Sequence, residues 1–445
     1  MLLLSLALSS TLAETYVEDT GVEAVEYGPI ERGLTQGVLD NGLTVSVYSD
    51  PDMPLVATQM WVRVGSAHEL DGELGLAHLF EHLVFSAPPD AGAADYSRFH
   101  ARHGGYKNAW TSKDSTAYVS KIAPQYHDEV LRMGAERFLA IEPDEATLER
   151  EKKVVAEELR MRTTNDPIAR MAIEFQTKMW EGHPYERVPV GTLDDIDGMT
   201  MEAVESFADR YYRADNMHLV VSGPVHGQET VDKVTALYAD LPGGAAEKTV
   251  VPDTLSWTFP TELEITEDIP PIRGFVLAYP LPPLDHADAP AVEVMLDLVS
   301  GGEVDQFRKQ LVEEQKGALE AFGGGGLEAA GGILMFAAIT LPLGPPSRTW
   351  DEMDEALSAM SDGDWFSDEA IARVTKRMRR EMMVDVYYAA EMAERLGWAD
   401  RNLGDSAEAL RREQALEGVS VEDVRRVYAT YVAEGTPVRI YAHKE

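Results

Sequence analysis

Gly75-Leu76-Ala77-His78-Leu79-Phe80-Glu81-His82-Leu83-Val84-Phe85 is an apolar run interrupted by two histidines and a glutamate. The spacing of its apolar residues predicts a helix. His78 and His82 are four apart, so a helix sets them on one face, one turn from each other. Two neutral imidazoles so placed could grip a divalent metal. Glu81 adjoins His82 and lies beside that metal, where a carboxylate could take a proton from a bound water. Short motifs also arise by chance, and a lone histidine on an apolar helix is usually a satisfied core residue. Two histidines and a glutamate on one turn are costly to bury without a shared partner.

Composition narrows what could surround this motif. A chain of 445 residues, 44% hydrophobic, suits two or more domains. The 77 acidic residues against 39 basic ones leave a net charge of −38, which argues against nucleic acid and anionic membrane as partners. A solvated acidic surface accounts for that charge; a cationic substrate is the other reading. There is no cysteine, so any metal must be held by histidine and carboxylate, which suits catalytic zinc. Residues 1–13 resemble the apolar core of an export signal, with Thr11 and Ala13 as the small residues before a cleavage site at Glu14. Export would place the protein in the periplasm or outside the cell. The missing basic residues at the start leave open a buried N-terminal segment instead. No stretch is apolar for long enough to span a bilayer as an integral membrane segment. Residues 14–33 read as an acidic lead-in.

Outward from the motif, Leu43–Tyr48 and Leu55–Val64 read as strands, and acidic Glu69, Asp71 and Glu73 suit the start of the helix. A short helix is expected near Tyr96–His103, with His100 and His103 on the surface. Gly104–Ser120 reads as a hairpin whose first strand, with Asn108, could pair with an extended peptide or be simply structural. Two long helices follow, about 125–140 and 144–163. On the second, Glu151 and Glu158 are seven apart and share a face. A zinc held by two histidines needs a third protein ligand. Spacing alone does not choose Glu158, and a solvated charged face, as expected for Glu157, is the other reading.

Taken together these stretches resemble the M16 metallopeptidase family, which includes pitrilysin, insulin-degrading enzyme and the processing-peptidase β subunit. His78-Leu79-Phe80-Glu81-His82 is similar to its HxxEH, the inverse of HExxH. Gly105-Tyr106-Lys107-Asn108-Ala109-Trp110-Thr111, with Thr116 and Tyr118, is similar to its G-x-x-N-A-x-T…T-x-Y hairpin. Glu151 and Glu158 match its pair of glutamates, Glu158 falling 76 residues after His82. The segment from Val190 to Gly223 is similar to its closing helix and strand. The resemblance implies that His78, His82 and Glu158 ligate one zinc ion per chain and that Glu81 is the general base. It implies that Glu151 steadies the site from behind and that Asn108 and Ala109 lie on the strand that pairs with substrate.

Residues 241–262 read as a linker, after which the order of elements recurs without metal ligands: strand, helix at 289–299, two strands, helices at 351–360 and 368–402, and a closing helix and strand. The implied fold is α+β: two similar domains, 34–240 and 263–445, each a mostly antiparallel sheet with helices on one face. Family members that work alone carry an arginine and a tyrosine in the second half that hold the substrate carbonyl. The matching stretch here, Gln310–Ala321, has neither. That departure implies a heterodimer, with this chain bringing zinc and a second M16-like subunit bringing the Arg/Tyr pair; a homodimer is the other reading. Gly323–Gly326 lacks the Lys-Ser/Thr of a phosphate loop and is expected to be a hairpin turn or substrate-facing loop. The function implied is a zinc endopeptidase acting on peptides or small unfolded chains in a closed chamber. A non-catalytic scaffold of the same fold, or a peptide-binding protein, is the alternative.

Overall fold

β3 (Val56–Val62) and β6 (Met217–Gly223) are buried at every residue, so the sheet they centre is covered on both faces. A computed structural model describes residues 29–86, 93–141, 143–163, 166–244, 250–300, 306–362, 366–385 and 387–444. The apolar segment 1–13 and most of the lead-in 14–33 lie outside them. The first sheet adds β1 (Gly33–Val38), β2 (Thr44–Ser49), β4 (Tyr106–Thr111) and β5 (Thr116–Ile122), in the order β1-β2-β6-β3-β5-β4. The second contains β7 (Glu262–Glu267), β8 (Arg273–Leu281), β9 (Glu320–Gly326), β10 (Gly332–Thr340) and β11 (Val438–Lys444), in the order β7-β11-β8-β10-β9. One pair in each is parallel, β2 with β6 and β7 with β11; the others are antiparallel. With β1 set aside the two orders superimpose strand for strand, so β4 and β9 are matching edges of a duplicated α+β domain.

Each sheet packs its own helices on one face. Against the first lie α1 (Leu76–Phe85), α3 (His127–Leu139) and α4 (Glu145–Thr163), around Leu76, Leu79, Phe80, Leu83, Leu131 and Val155. Between α1 and α3 in sequence, α2 (Ala93–His103) leads into β4. The opposite faces are closed by exchange. The helix Ala389–Leu403, from the second half, lays Met392, Ala393, Leu396 and Ala399 on Ala57, Trp61, Ala117 and Val220 of the first sheet. Gly397 lets it approach, since a Cβ there would come within 2.1 Å of Trp61 Nε1. In return α5 (Pro167–Met179) puts Met171, Phe175 and Met179 against Ile265, Val438 and Ile440 of the second sheet.

Three expectations are corrected. Gly323–Gly326 is neither a turn nor a loop but the C-terminal half of β9, paired with β10 from Ile333 to Phe336. The absence of side chains is steric at Gly323, where a Cβ would come within 2.2 Å of Val299 Cγ1 on the helix beneath. The helical stretch 368–402 is broken by the extended backbone of Tyr388 into Asp368–Asp385 and Ala389–Leu403. His100 is not a surface histidine: it is buried, with Nδ1 at 2.8 Å from the Tyr96 carbonyl and Nε2 at 2.7 Å from Ser120 Oγ. Those two partners satisfy a neutral imidazole inside the fold.

Candidate metal centre and cleft

α1 is anchored at its start by Glu69. That carboxyl is fully buried and accepts from the backbone N–H of Gly75, at 2.9 Å, and of Ala77, at 2.8 Å, two donors that the first helical turn cannot satisfy. Burial pushes Glu69 up to about 8, outweighing the two N–H donors that favour its anion. Along the helix Leu76, Leu79, Phe80 and Leu83 face the core. The turn at 78–82 then puts both histidines toward α4, which packs beside α1.

His78 Nε2 lies 3.8 Å and His82 Nε2 3.5 Å from the same atom, Glu158 Oε2. Among the described residues these three side chains form the one group of three or more whose ligand atoms lie within 4.8 Å of one another. Donors bound to one tetrahedral zinc at its usual distances stand about 3.3 Å apart. Separations of 3.5 and 3.8 Å are therefore long for hydrogen bonds and close to what a shared ion requires. Charge points the same way. Burial pulls His82 down, but Glu151, Glu81 and Glu158 outweigh it and hold the imidazole above its ordinary value. A pocket of carboxylates that raises a histidine is one in which a cation is favoured. Two imidazoles and a carboxylate, with no thiolate in the chain, fit a catalytic zinc.

The other glutamates divide by position. Glu151, 6% exposed, places Oε2 at 3.5 Å from Nδ1 of His82, on the side away from Glu158. Its Oε1 accepts from Ser86 Oγ at 2.8 Å and from Arg150 Nε at 3.1 Å. Burial opposes its charge, but His82, Ser86 and Arg150 together hold it below the usual carboxylate range. Glu157 points to solvent. Glu81, 9% exposed, accepts from Thr111 Oγ1 at 2.6 Å. Ser86 and Thr111 are not distinguished by spacing in the sequence. Thr111 does stand at the end of the hairpin motif, where strand alternation alone would have turned it to the same face as Ala109.

These groups line a cleft of about 590 Å³ between α1, α4 and β4. Asn108 and Ala109 both line it, Asn108 exposed and Ala109 half-buried. Ala109 packs on the α1 side of the sheet, whereas Trp110 turns to the opposite face and meets Trp61 edge-on at 5.0 Å. Among the described residues β4 pairs with β5 alone, so its outer edge carries no further strand. The structure thus brings together in one cleft all seven residues singled out from the sequence.

Comparison with known proteins agrees with this architecture. Residues 44–188 match the family described as insulinase (peptidase family M16), and residues 198–378 match the peptidase M16 inactive domain. The chain belongs to the M16 peptidase family. It is similar to the zinc protease PqqE of Helicobacter pylori, 29% identical over 323 residues, 71% of each chain. It is also similar to insulin-degrading enzyme-like 1 of Arabidopsis thaliana, 32% identical over 226 residues, 49% of this chain but 23% of that one. Among solved structures, a protease from Helicobacter pylori superimposes with a TM-score of 0.81 at 23% identity, covering 93% of this chain and 99% of that one. No helix among the described residues is long and apolar enough to cross a membrane.

Proposed function

We propose that this chain is a zinc endopeptidase in which His78, His82 and Glu158 hold one zinc ion and Glu81 is the general base. The observation that carries the reading is the convergence of His78 Nε2 and His82 Nε2 on Glu158 Oε2, in a cleft walled by an open sheet edge. A zinc ion held there would lower the pKa of water to roughly 7 and polarise a peptide carbonyl. Glu81 takes the proton of the attacking water and hands it to the leaving nitrogen. Thr111, donating to one oxygen of Glu81, fixes the aim of the other. Glu151 accepts the Nδ1 proton of His82, which keeps the lone pair on Nε2, toward Glu158. Along Asn108 and Ala109 the free edge of β4 accepts an extended peptide as one more strand, which restricts substrates to peptides and small unfolded chains.

The same reading makes this chain one half of a closed chamber. Gln310–Ala321 contains no arginine or tyrosine to hold the substrate carbonyl, and Arg308, just before it, is engaged by Glu313 and Glu320. A second subunit of the same fold supplies those groups. The apolar segment 1–13 supports export, to the periplasm or beyond. The test is a quenched peptide library cut by the wild type and by Glu81→Gln, each alone and with a candidate partner subunit. The variant is expected to lose on the order of 10²–10⁴-fold in rate while retaining its zinc. Equal rates would refute Glu81 as the base. A wild type that holds zinc but cuts nothing in any combination would favour the scaffold or peptide-binding alternative.

A further inference from the structure

The cleft is not uniform in charge. At its metal end stand Glu81, Glu151 and Glu158. It is also lined by Phe85, one turn beyond His82, and by Lys107 of β4. The Lys107 ammonium stands 4.4 Å from the centre of the Phe85 ring, and the guanidinium of Arg137 lies 4.8 Å from the same ring. Among the described residues no carboxylate comes within 4 Å of either cation, in a chain with 77 acidic residues against 39 basic ones. Arg137 is buried, with Nε and Nη1 making no hydrogen bond, and it is surrounded by the rings of Phe85, Tyr96, Tyr118 and Phe138. It cannot reach a substrate, but its charge adds to the field at Lys107. Lys107 can: it lines the cleft and is only half-buried.

We infer that Lys107 selects peptides carrying an acidic side chain, Asp or Glu, at the position that lies opposite it when the peptide pairs with β4. The inference rests on the proposed peptidase reading and adds a substrate class to it. Side chains alternate along β4, so Lys107, Ala109 and Thr111 share the face turned to α1. Thr111 is the residue that meets Glu81, and Lys107 lies four residues back, about 13 Å along the strand. An added strand has its own side chains beside those of β4 on the same face, close enough for opposite charges to pair. The preferred acid therefore lies four positions from the residue that faces Thr111, which keeps it clear of the three glutamates at the metal. Burial, then Arg137, hold Lys107 below its ordinary value, and a carboxylate arriving there opposes both effects.

Two measurements test this, on peptides that differ only in Asp, Ala or Lys at each position in turn. The first is kcat/KM of the zinc-loaded protein, with its partner subunit if one is required. At one position Asp is expected to exceed Ala by about tenfold, the size of a charge-assisted contact. That ratio falls to about one in Lys107→Met, which keeps the aliphatic stem on Phe85, and favours Lys in Lys107→Glu. The second is binding of the same peptides to Glu81→Gln by fluorescence anisotropy, with and without Lys107→Met, which needs no turnover. If no peptide is cut but acidic peptides bind about tenfold more tightly and lose this with Lys107→Met, the peptidase reading fails and the Lys107 assignment stands. No acidic preference in either measurement, or one that Lys107→Met leaves intact, overturns the assignment.

Discussion

Glu151 and Glu158 show how far a residue's role could be read before the fold was known. Both lie on one face of a helix two turns apart, and spacing does not rank them. Geometry does: Glu158 Oε2 faces the Nε2 atoms of both histidines, while Glu151 faces the Nδ1 atom of His82. The two substitutions should therefore differ. Glu151→Gln is expected to weaken zinc about 10–100-fold without abolishing binding, as loss of a partner behind a ligand does; competition with a chromophoric chelator measures it. Affinity unchanged by the substitution would remove Glu151 from the site. Thr111 was legible only as part of a hairpin, because its bond to Glu81 joins two elements that the sequence separates by 30 residues. Thr111→Val should lower kcat about tenfold with full zinc content, since it removes a hydrogen bond to the carboxyl group proposed as the base. Undiminished kcat would show that Glu81 is aimed by something else.

At the scale of elements, α1 was readable from periodicity and its acidic approach, but not the way that approach works. Glu69 does more than lie near a helix start; its carboxyl receives two backbone N–H groups from inside the core. Its folded value of about 8 lies above the ordinary 4.5, so the native state binds the extra proton between those limits. The stability this contributes is present in full below about 4.5 and is lost as pH rises through about 8. Melting temperatures of the metal-free protein should therefore fall more steeply across that window in the wild type than in Glu69→Gln, whose amide does not titrate. Parallel curves would mean that Glu69 is charged throughout. The glycines of β9 and the buried His100 escaped the sequence for a shared reason. A glycine run looks like a turn, and a histidine looks exposed, until the neighbour that crowds or satisfies it is known.

For the whole molecule, the duplication was visible as a repeated order of elements, and the matching strand orders of the two sheets bear it out. The exchange of helices between halves was not visible. Local periodicity says which face of Ala389–Leu403 is apolar, not which sheet it covers. The unbroken burial of β3 and β6 is the trace it leaves in the first sheet. Gly397→Leu is expected to drive a side chain into Trp61 and cost about 1–3 kcal/mol, read as a lower urea midpoint with metal removed. A midpoint equal to that of the wild type would mean that the helix does not depend on this close approach. The claim on which the rest depends is that the cleft holds zinc. Its most direct test is the zinc content per chain, by mass spectrometry of the purified wild type beside His78→Ala, His82→Ala and Glu158→Ala. We predict one zinc per wild-type chain and its loss from all three variants; a wild type without stoichiometric zinc, or variants that retain it, would contradict the account.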